Sequence, residues 1–191
     1  MQFDLSTIRI KKLMARIKYV YLKDIESKLL TDLYNEDFKK NFKYELLLFE
    51  SRNNKKNIEE INSEEPKLEK NKFAHELYLR IAKETHPDIH RDPVKTEYFI
   101  EAKRLYKKND IFSLIVLCDQ LNITIKKIPE KEKNLIEEQI NSTLDKIDNL
   151  KNSYAWIWYT NDDKEKVKNF IMEDMNITKE DLDEFIKNIK P

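Results

Sequence analysis

The chain has 191 residues, 40 % hydrophobic and 38 % charged, enough for one medium domain or two small ones with a thin core and much solvated surface. Lysine plus arginine equals aspartate plus glutamate at 36 each, so net charge marks out neither a polyanion binder nor an acidic tail. Glycine is absent, which makes left-handed turns and close backbone approach to phosphate costly and argues against a P-loop, a Rossmann fingerprint or tight β-hairpins.

Lys, Glu, Asn, Ile and Leu dominate, and they predict an all-α fold without a sheet, its helices joined by Asn, Asp and Pro connections. The single cysteine, Cys118, excludes an intrachain disulfide and lies in an apolar helical run, where a thiol packs rather than reacts. No apolar stretch reaches the length of a membrane span, and the basic N-terminus lacks the unbroken hydrophobic region of a secretory signal. The expected setting is reducing and cytoplasmic.

An N-terminal helical region is expected over residues 1–50. Residues 5–34 carry the stripe Ile10, Leu13, Met14, Ile17, Val20, Tyr21, Ile25, Leu29 and Leu33, with Asp4 or Ser6 as a cap. Arg9, Lys11, Lys12, Arg16, Lys18 and Lys23 make the opposite face basic. Such a face can meet anionic lipid or nucleic-acid phosphate. Acidic residues return at Asp24 and Glu26, however, and the aromatic residues form no stacking platform, so a partly buried helix is expected and nucleic acid is not. A second helix over 38–50, with Phe42, Leu46 and Phe49, is predicted to fold back through the polar turn 34–37. Residues 51–71 are nearly devoid of apolar side chains and read as a charged linker.

From Phe73 the pattern sharpens. Phe73, Leu77, Ile81 and Thr85 fall four apart, widened by Tyr78 and Ala82. A polar break comes next, then a second helical stripe of Phe99, Ala102, Leu105 and Tyr106. Pro87 cannot continue a helix, so His86, Pro87 and Asp88 are predicted at the tip of a two-helix hairpin, with the His and Asp side chains facing water. As chemistry the tip is poor. A His86–Asp88 dyad has no nucleophile or oxyanion site nearby, and His86 with His90 would need the continuous helix that Pro87 breaks. No catalytic residue, metal or cofactor is expected.

The segments YLRIAKETHPD and DPVKTEYFIEAKRLY resemble the J-domain, the module by which DnaJ-type co-chaperones act on DnaK-type heat-shock chaperones. Ala82, Ile81, Arg80 and Tyr78 stand where that family has Ala, Leu, a basic residue and Tyr, while Phe99 and Tyr106 match the aromatic pair of its third helix. The resemblance covers residues 72–123. It implies a protein that is not itself an enzyme but docks on a DnaK-type ATPase and shifts that enzyme toward hydrolysis. The residues it assigns to the contact are His86, Pro87 and Asp88 at the tip and Arg80 and Lys83 before it; Lys103 and Arg104 on the second helix, with Lys107 and Lys108, are expected to compensate for a basic face thinner than the family's. Asp88 would accept a charge-assisted bond from a partner arginine, and Pro87 would stiffen the tip. The chain departs from the family in four respects: no short helix stands just before the hairpin, and Leu79, Glu84 and Ile89 occupy positions often filled by Lys or Arg. Either the helix around Leu46 docks back across the linker, or the hairpin is covered by the segment C-terminal to it.

That segment is an apolar helix over 110–123, capped by Asp110, with Phe112, Ile115, Leu117, Cys118 and Leu121 on a broad face. A β-branched connector leads to Pro129, which suits a helix start. In the C-terminal helical region, 124–191, a helix over 130–159 carries the heptad seam Ile136, Ile140, Thr143, Ile147, Leu150 and Tyr154. The seam pairs either with the N-terminal helix of the same chain or with a second copy in a homodimer through Ile136–Leu150. The run YAWIWY at 154–159 is expected as a packed aromatic plug. Two short helices close the chain, over 162–174 and after the cap Thr178, with Leu182, Phe185 and Ile186 inward. With no zinc-finger-like cysteine region and no Gly/Phe-rich stretch, a specialised recruiter for an unknown client is expected rather than a general client holder. The alternative is a helical assembly protein that uses the hairpin only for packing.

Overall fold

The computed structural model of the chain describes residues 5–53 and 71–189. Among these, all regular structure is helical: α1 (Leu5–Asn41), α2 (Lys43–Asn53), α3 (Lys72–Thr85), α4 (Pro93–Lys107), α5 (Ile111–Gln120), α6 (Glu130–Lys151), α7 (Tyr154–Thr160), α8 (Lys164–Asp174) and α9 (Lys179–Ile189). The all-α class agrees with the composition. No helix among the described residues is long and apolar enough to cross a membrane. Most of the charged linker, residues 54–70, and the proposed cap Asp4 lie outside the described residues.

The chain forms two compact units that are not contiguous in sequence. Of the described residues, the first holds 5–25 and 71–146, and the second 26–53 and 147–189. Helices α1 and α6 contribute residues to both.

In the first unit α5 is the centre of the core. Seven of its ten residues, Ile111, Phe112, Leu114, Ile115, Val116, Leu117 and Cys118, are buried, so it is apolar nearly all round rather than on one face. It packs against both α3 and α4, and the hairpin is therefore covered by the helix that comes after it in sequence. Asp110 caps α5 as expected, accepting from the Ser113 N–H at 2.9 Å. Gln139 of α6 secures the same end, accepting from the Phe112 N–H at 2.9 Å and donating to the Asn109 carbonyl at 3.1 Å. Ile17 and Val20 of α1 share this core with Ile136 and Ile140 of α6. The α6 seam that sequence left open to a second copy is thus filled inside the chain at these two positions. Arg16 pairs with Glu137 and Lys18 with Asp119, the latter at 2.9 Å, so part of the basic face of α1 is matched by acid within the unit.

The second unit corrects three expectations. First, residues 34–37 are not a turn. With no Pro or Gly to stop it, α1 continues to Asn41, and the interruption at Phe42 is slight: Phe42 N–H still bonds Phe38 O and Leu46 N–H bonds Phe42 O, both at 2.9 Å. Second, the face that α1 buries here is not the predicted stripe. Leu29 and Leu33 are exposed, while Ser27, Thr31, Tyr34 and Phe38 are buried. Thr31 is tolerated because its hydroxyl donates to Ser27 O and accepts from the Trp156 indole, each at 2.7 Å. Third, the helix predicted over 130–159 ends at Lys151, and YAWIWY starts a separate helix, α7, after Ser153.

That aromatic run is a packed plug. Tyr34 stacks on Tyr159 with centroids 3.9 Å apart and meets Trp156 edge-on at 4.9 Å, while Trp158 stands edge-on to Phe42 at 5.0 Å and donates to Asp37 at 3.1 Å. Trp158 is buried and Trp156 half-buried, and each indole N–H finds an acceptor. Helix α9 begins with a capping box: Asp181 N–H bonds the Thr178 hydroxyl at 3.1 Å and Thr178 N–H bonds the Asp181 carboxylate at 3.0 Å. These bonds, with Arg52 alongside, hold the Asp181 carboxyl below its ordinary range.

A chain without glycine still needs left-handed residues, and asparagine supplies them. Asn109, Asn122 and Asn176 have φ of 54°, 56° and 54°, each just past the end of a helix. At all three the next N–H reaches back across the helix end: Asp110 to Leu105 O, Ile123 to Cys118 O, and Ile177 to Met172 O. The same helix-stop motif is built three times with the second-best residue for it.

Candidate functional site

Helix α3 is fixed at both ends before it reaches the tip. Asn71 Oδ1 accepts from the N–H groups of Phe73 and Ala74 at 2.8 and 3.1 Å, and its Nδ2 donates to the buried Glu132 carboxylate at 2.7 Å. Phe73, Ala74, Leu77, Ile81 and Thr85 form the buried face. Thr85 is fully buried at the last turn, and its hydroxyl donates to Ile81 O at 2.8 Å.

His86 ends the helix. Its N–H still reaches Ala82 O at 2.8 Å, but its ψ is 129°, the extended value that a proline imposes on the residue before it. The chain then turns tightly, with the N–H groups of Ile89 and His90 both on His86 O at 3.0 and 2.9 Å. Asp92 accepts from Val94 N–H at 2.9 Å and Pro93 takes the first position of α4. The two helices run antiparallel: His75 near the start of α3 meets Tyr106 near the end of α4, and His86 at the end of α3 meets Phe99. Tyr78 lies between, stacked on Tyr106 with centroids 5.1 Å apart.

At the tip Asp88 has 87 % of its side chain open to water. His86 is half-buried rather than free. One side of its ring stands against Phe99, and its Nδ1 accepts from the Asp88 N–H at 3.2 Å. The neutral ring therefore carries its proton on Nε2. The Asp88 carboxylate lies 3.6 Å from the same Nδ1, so a protonated ring would face it. Imidazole and carboxylate are held together by the backbone, not by a long side-chain pair. The arrangement presents a fixed donor, Nε2–H, and an exposed acceptor, the carboxylate, within one turn of chain.

The basic residues divide. Lys83, three residues before His86, is exposed and in no ion pair among the described residues. Arg80 is half-buried, and its Nη2 donates to Thr124 O at 2.6 Å, which ties α3 to the connector after α5. On α4, Arg104 holds Glu101 through two bonds of 2.7 and 2.5 Å, which lower the Glu101 carboxyl and raise the guanidinium. Lys103 is exposed. Both α4 residues stand about 15 Å along the helix from the tip, at 1.5 Å per residue. The structure therefore gathers His86, Pro87, Asp88 and Lys83 at one end and leaves Arg80, Lys103 and Arg104 away from it.

Sequence reasoning missed what shapes the tip. Asp92–Pro93 is a helix-start signature visible in the sequence, whereas the Phe99–His86 contact depends on helix register and leaves no local signal. Among the described residues no three His, Cys, Asp or Glu side chains gather into a metal site. The Cys118 thiol is buried, and burial pushes it up to about 11. Comparison of the chain with protein-family models, curated proteins and solved structures finds no match.

Proposed function

We propose that this chain is a J-domain-type co-chaperone that docks on a DnaK-type ATPase through the His86–Pro87–Asp88 tip and recruits it to a specific client in a reducing, cytoplasmic setting. The observation that carries the proposal is the exposure of Asp88 on a proline-stopped helix end beside an exposed Lys83. A fixed carboxylate in water suits an arginine on another protein, and a short tip loses little conformational freedom on docking. The protein contributes no group to ATP chemistry; it binds one conformational state of its partner more tightly than the other.

A second reading, a helical assembly protein in which the hairpin only packs, draws support from the internal engagement of Arg80 and Arg104. The two are separated by a binding titration of a cognate DnaK-type chaperone in its ATP state. The co-chaperone reading expects saturable binding that weakens on Asp88→Asn; the packing reading expects none with either protein.

A further inference from the structure

Away from the tip, the first unit carries a recess of about 570 Å³ between the first turns of α1 and the connector that joins α5 to α6. Ile10, Met14, Ile123 and Ile125 line it, together with Lys11 and Lys126. One carboxylate, that of Asp119, also lines it, but it is held by Lys18 at 2.9 Å. Neither Lys11 nor Lys126 is in an ion pair among the described residues. The recess therefore combines an apolar surface with two uncompensated cations.

Its connector wall has a second property. Residues 123–129 run without helix, turn or bend. The Thr124 carbonyl is taken by Arg80, yet among the described residues the N–H groups of 124–128 donate to no protein acceptor. A stretch outside helix and turn with unused backbone groups offers donors with which an extended chain can pair.

We propose that this recess is a docking site for an acidic, extended segment of another protein. The segment pairs its backbone with the connector, seats an apolar side chain among Ile10, Met14, Ile123 and Ile125, and sets its carboxylates at Lys11 and Lys126. A small anionic ligand would use the lysines and the apolar surface but not the backbone groups, which is why a peptide is favoured. None of these residues belongs to the tip, so the proposal stands or falls apart from the co-chaperone reading.

The test uses the full chain and a fluorescein-labelled octapeptide alternating glutamate and valine, read by fluorescence anisotropy. Saturable binding is expected, weakened about tenfold or more in the Lys11→Glu, Lys126→Glu double variant. Both lysines are exposed, so the variant is expected to fold, which circular dichroism checks. A lysine–valine octapeptide and a fully N-methylated glutamate–valine octapeptide should not bind. The proposal is overturned by absence of saturation, by equal binding of either control peptide, or by unchanged affinity in the double variant. Binding of dodecanoate in place of the peptide also overturns it.

Discussion

The imidazole of His86 stands edge-on against the ring of Phe99, with centroids 4.8 Å apart and planes at 67°. Through this contact the interior of the hairpin reaches its tip, because Phe99 also lies 6.3 Å from Tyr78, which stacks on Tyr106. The tip is therefore held by side-chain packing as well as by Pro87.

Removing the ring should free the imidazole while leaving the hairpin formed. Phe99→Ala should cost about 1–2 kcal/mol, less than a fully buried Phe because the ring is only half-buried. The His86 ring-proton shifts in NMR should move to random-coil positions. Phe99→Leu should recover much of the stability without restoring the ring-induced shift. In the native protein the nitrogen shifts of neutral His86 should report the Nε2–H form, since Nδ1 accepts from Asp88. An Nδ1–H tautomer would contradict the tip geometry.

Asn71 serves α3 and α6 at once, capping the first and bonding Glu132 of the second. Asn71→Ala should lower stability by about 1–2 kcal/mol, a lost cap plus a buried carboxylate left one donor short. Asn71→Asp keeps the cap acceptor but sets two carboxylates together, and it should destabilise more at pH 7 than at pH 4. Urea unfolding at the two pH values measures this, and equal loss at both would count against the pairing.

In the second unit Lys168 Nζ lies 2.7 Å from the carboxylate of Glu45, whose side chain is 3 % exposed. Lys168→Met should destabilise by about 1–3 kcal/mol, because it strands a buried charge whose partner was itself partly in water. Adding Glu45→Leu should recover most of the loss, since an apolar pair needs no desolvation of charge. A double variant no more stable than the single one would show that Glu45 has other support.

Burial raises the Cys118 thiol from 9.0 to about 11. Between those values the unfolded chain releases the thiol proton and the folded chain retains it. The folded state then binds more protons, so its stability falls as pH rises through this window. Against Cys118→Ala as reference, the native protein should lose roughly 2–3 kcal/mol by pH 11, two units at 1.36 kcal/mol each. The thiol should also resist alkylation at pH 8 until the chain unfolds. Rapid labelling of the folded protein would contradict its burial.

The hairpin was legible in sequence because its signals are local. A four-residue stripe, a proline and an Asp cap each act within one turn of helix, and α3, Pro87 and Asp110 stand where they were expected. The second unit was not, because its buried face is decided at a distance. Thr31 is inside, where its hydroxyl accepts from the Trp156 indole, and Leu29 is outside; hydrophobic periodicity has no access to such a pairing. The run 34–37 looked like a turn by composition, but without Pro or Gly nothing in it stops a helix. At the tip, charge could be counted from the sequence, but the engagement of Arg80 with the Thr124 carbonyl could not. The three Asn helix stops lay between: the residue type was visible, the left-handed φ was not.

The most direct test is single-turnover ATP hydrolysis by a cognate DnaK-type chaperone, titrated with this protein and with its Asp88→Asn variant. The account predicts stimulation by the native chain. It also predicts a half-maximal concentration about tenfold to a hundredfold higher for the variant, the equivalent of one charge-assisted bond, with the variant's helical content and unfolding midpoint unchanged. Absence of stimulation at saturating native protein, or equal stimulation by both proteins, would contradict it.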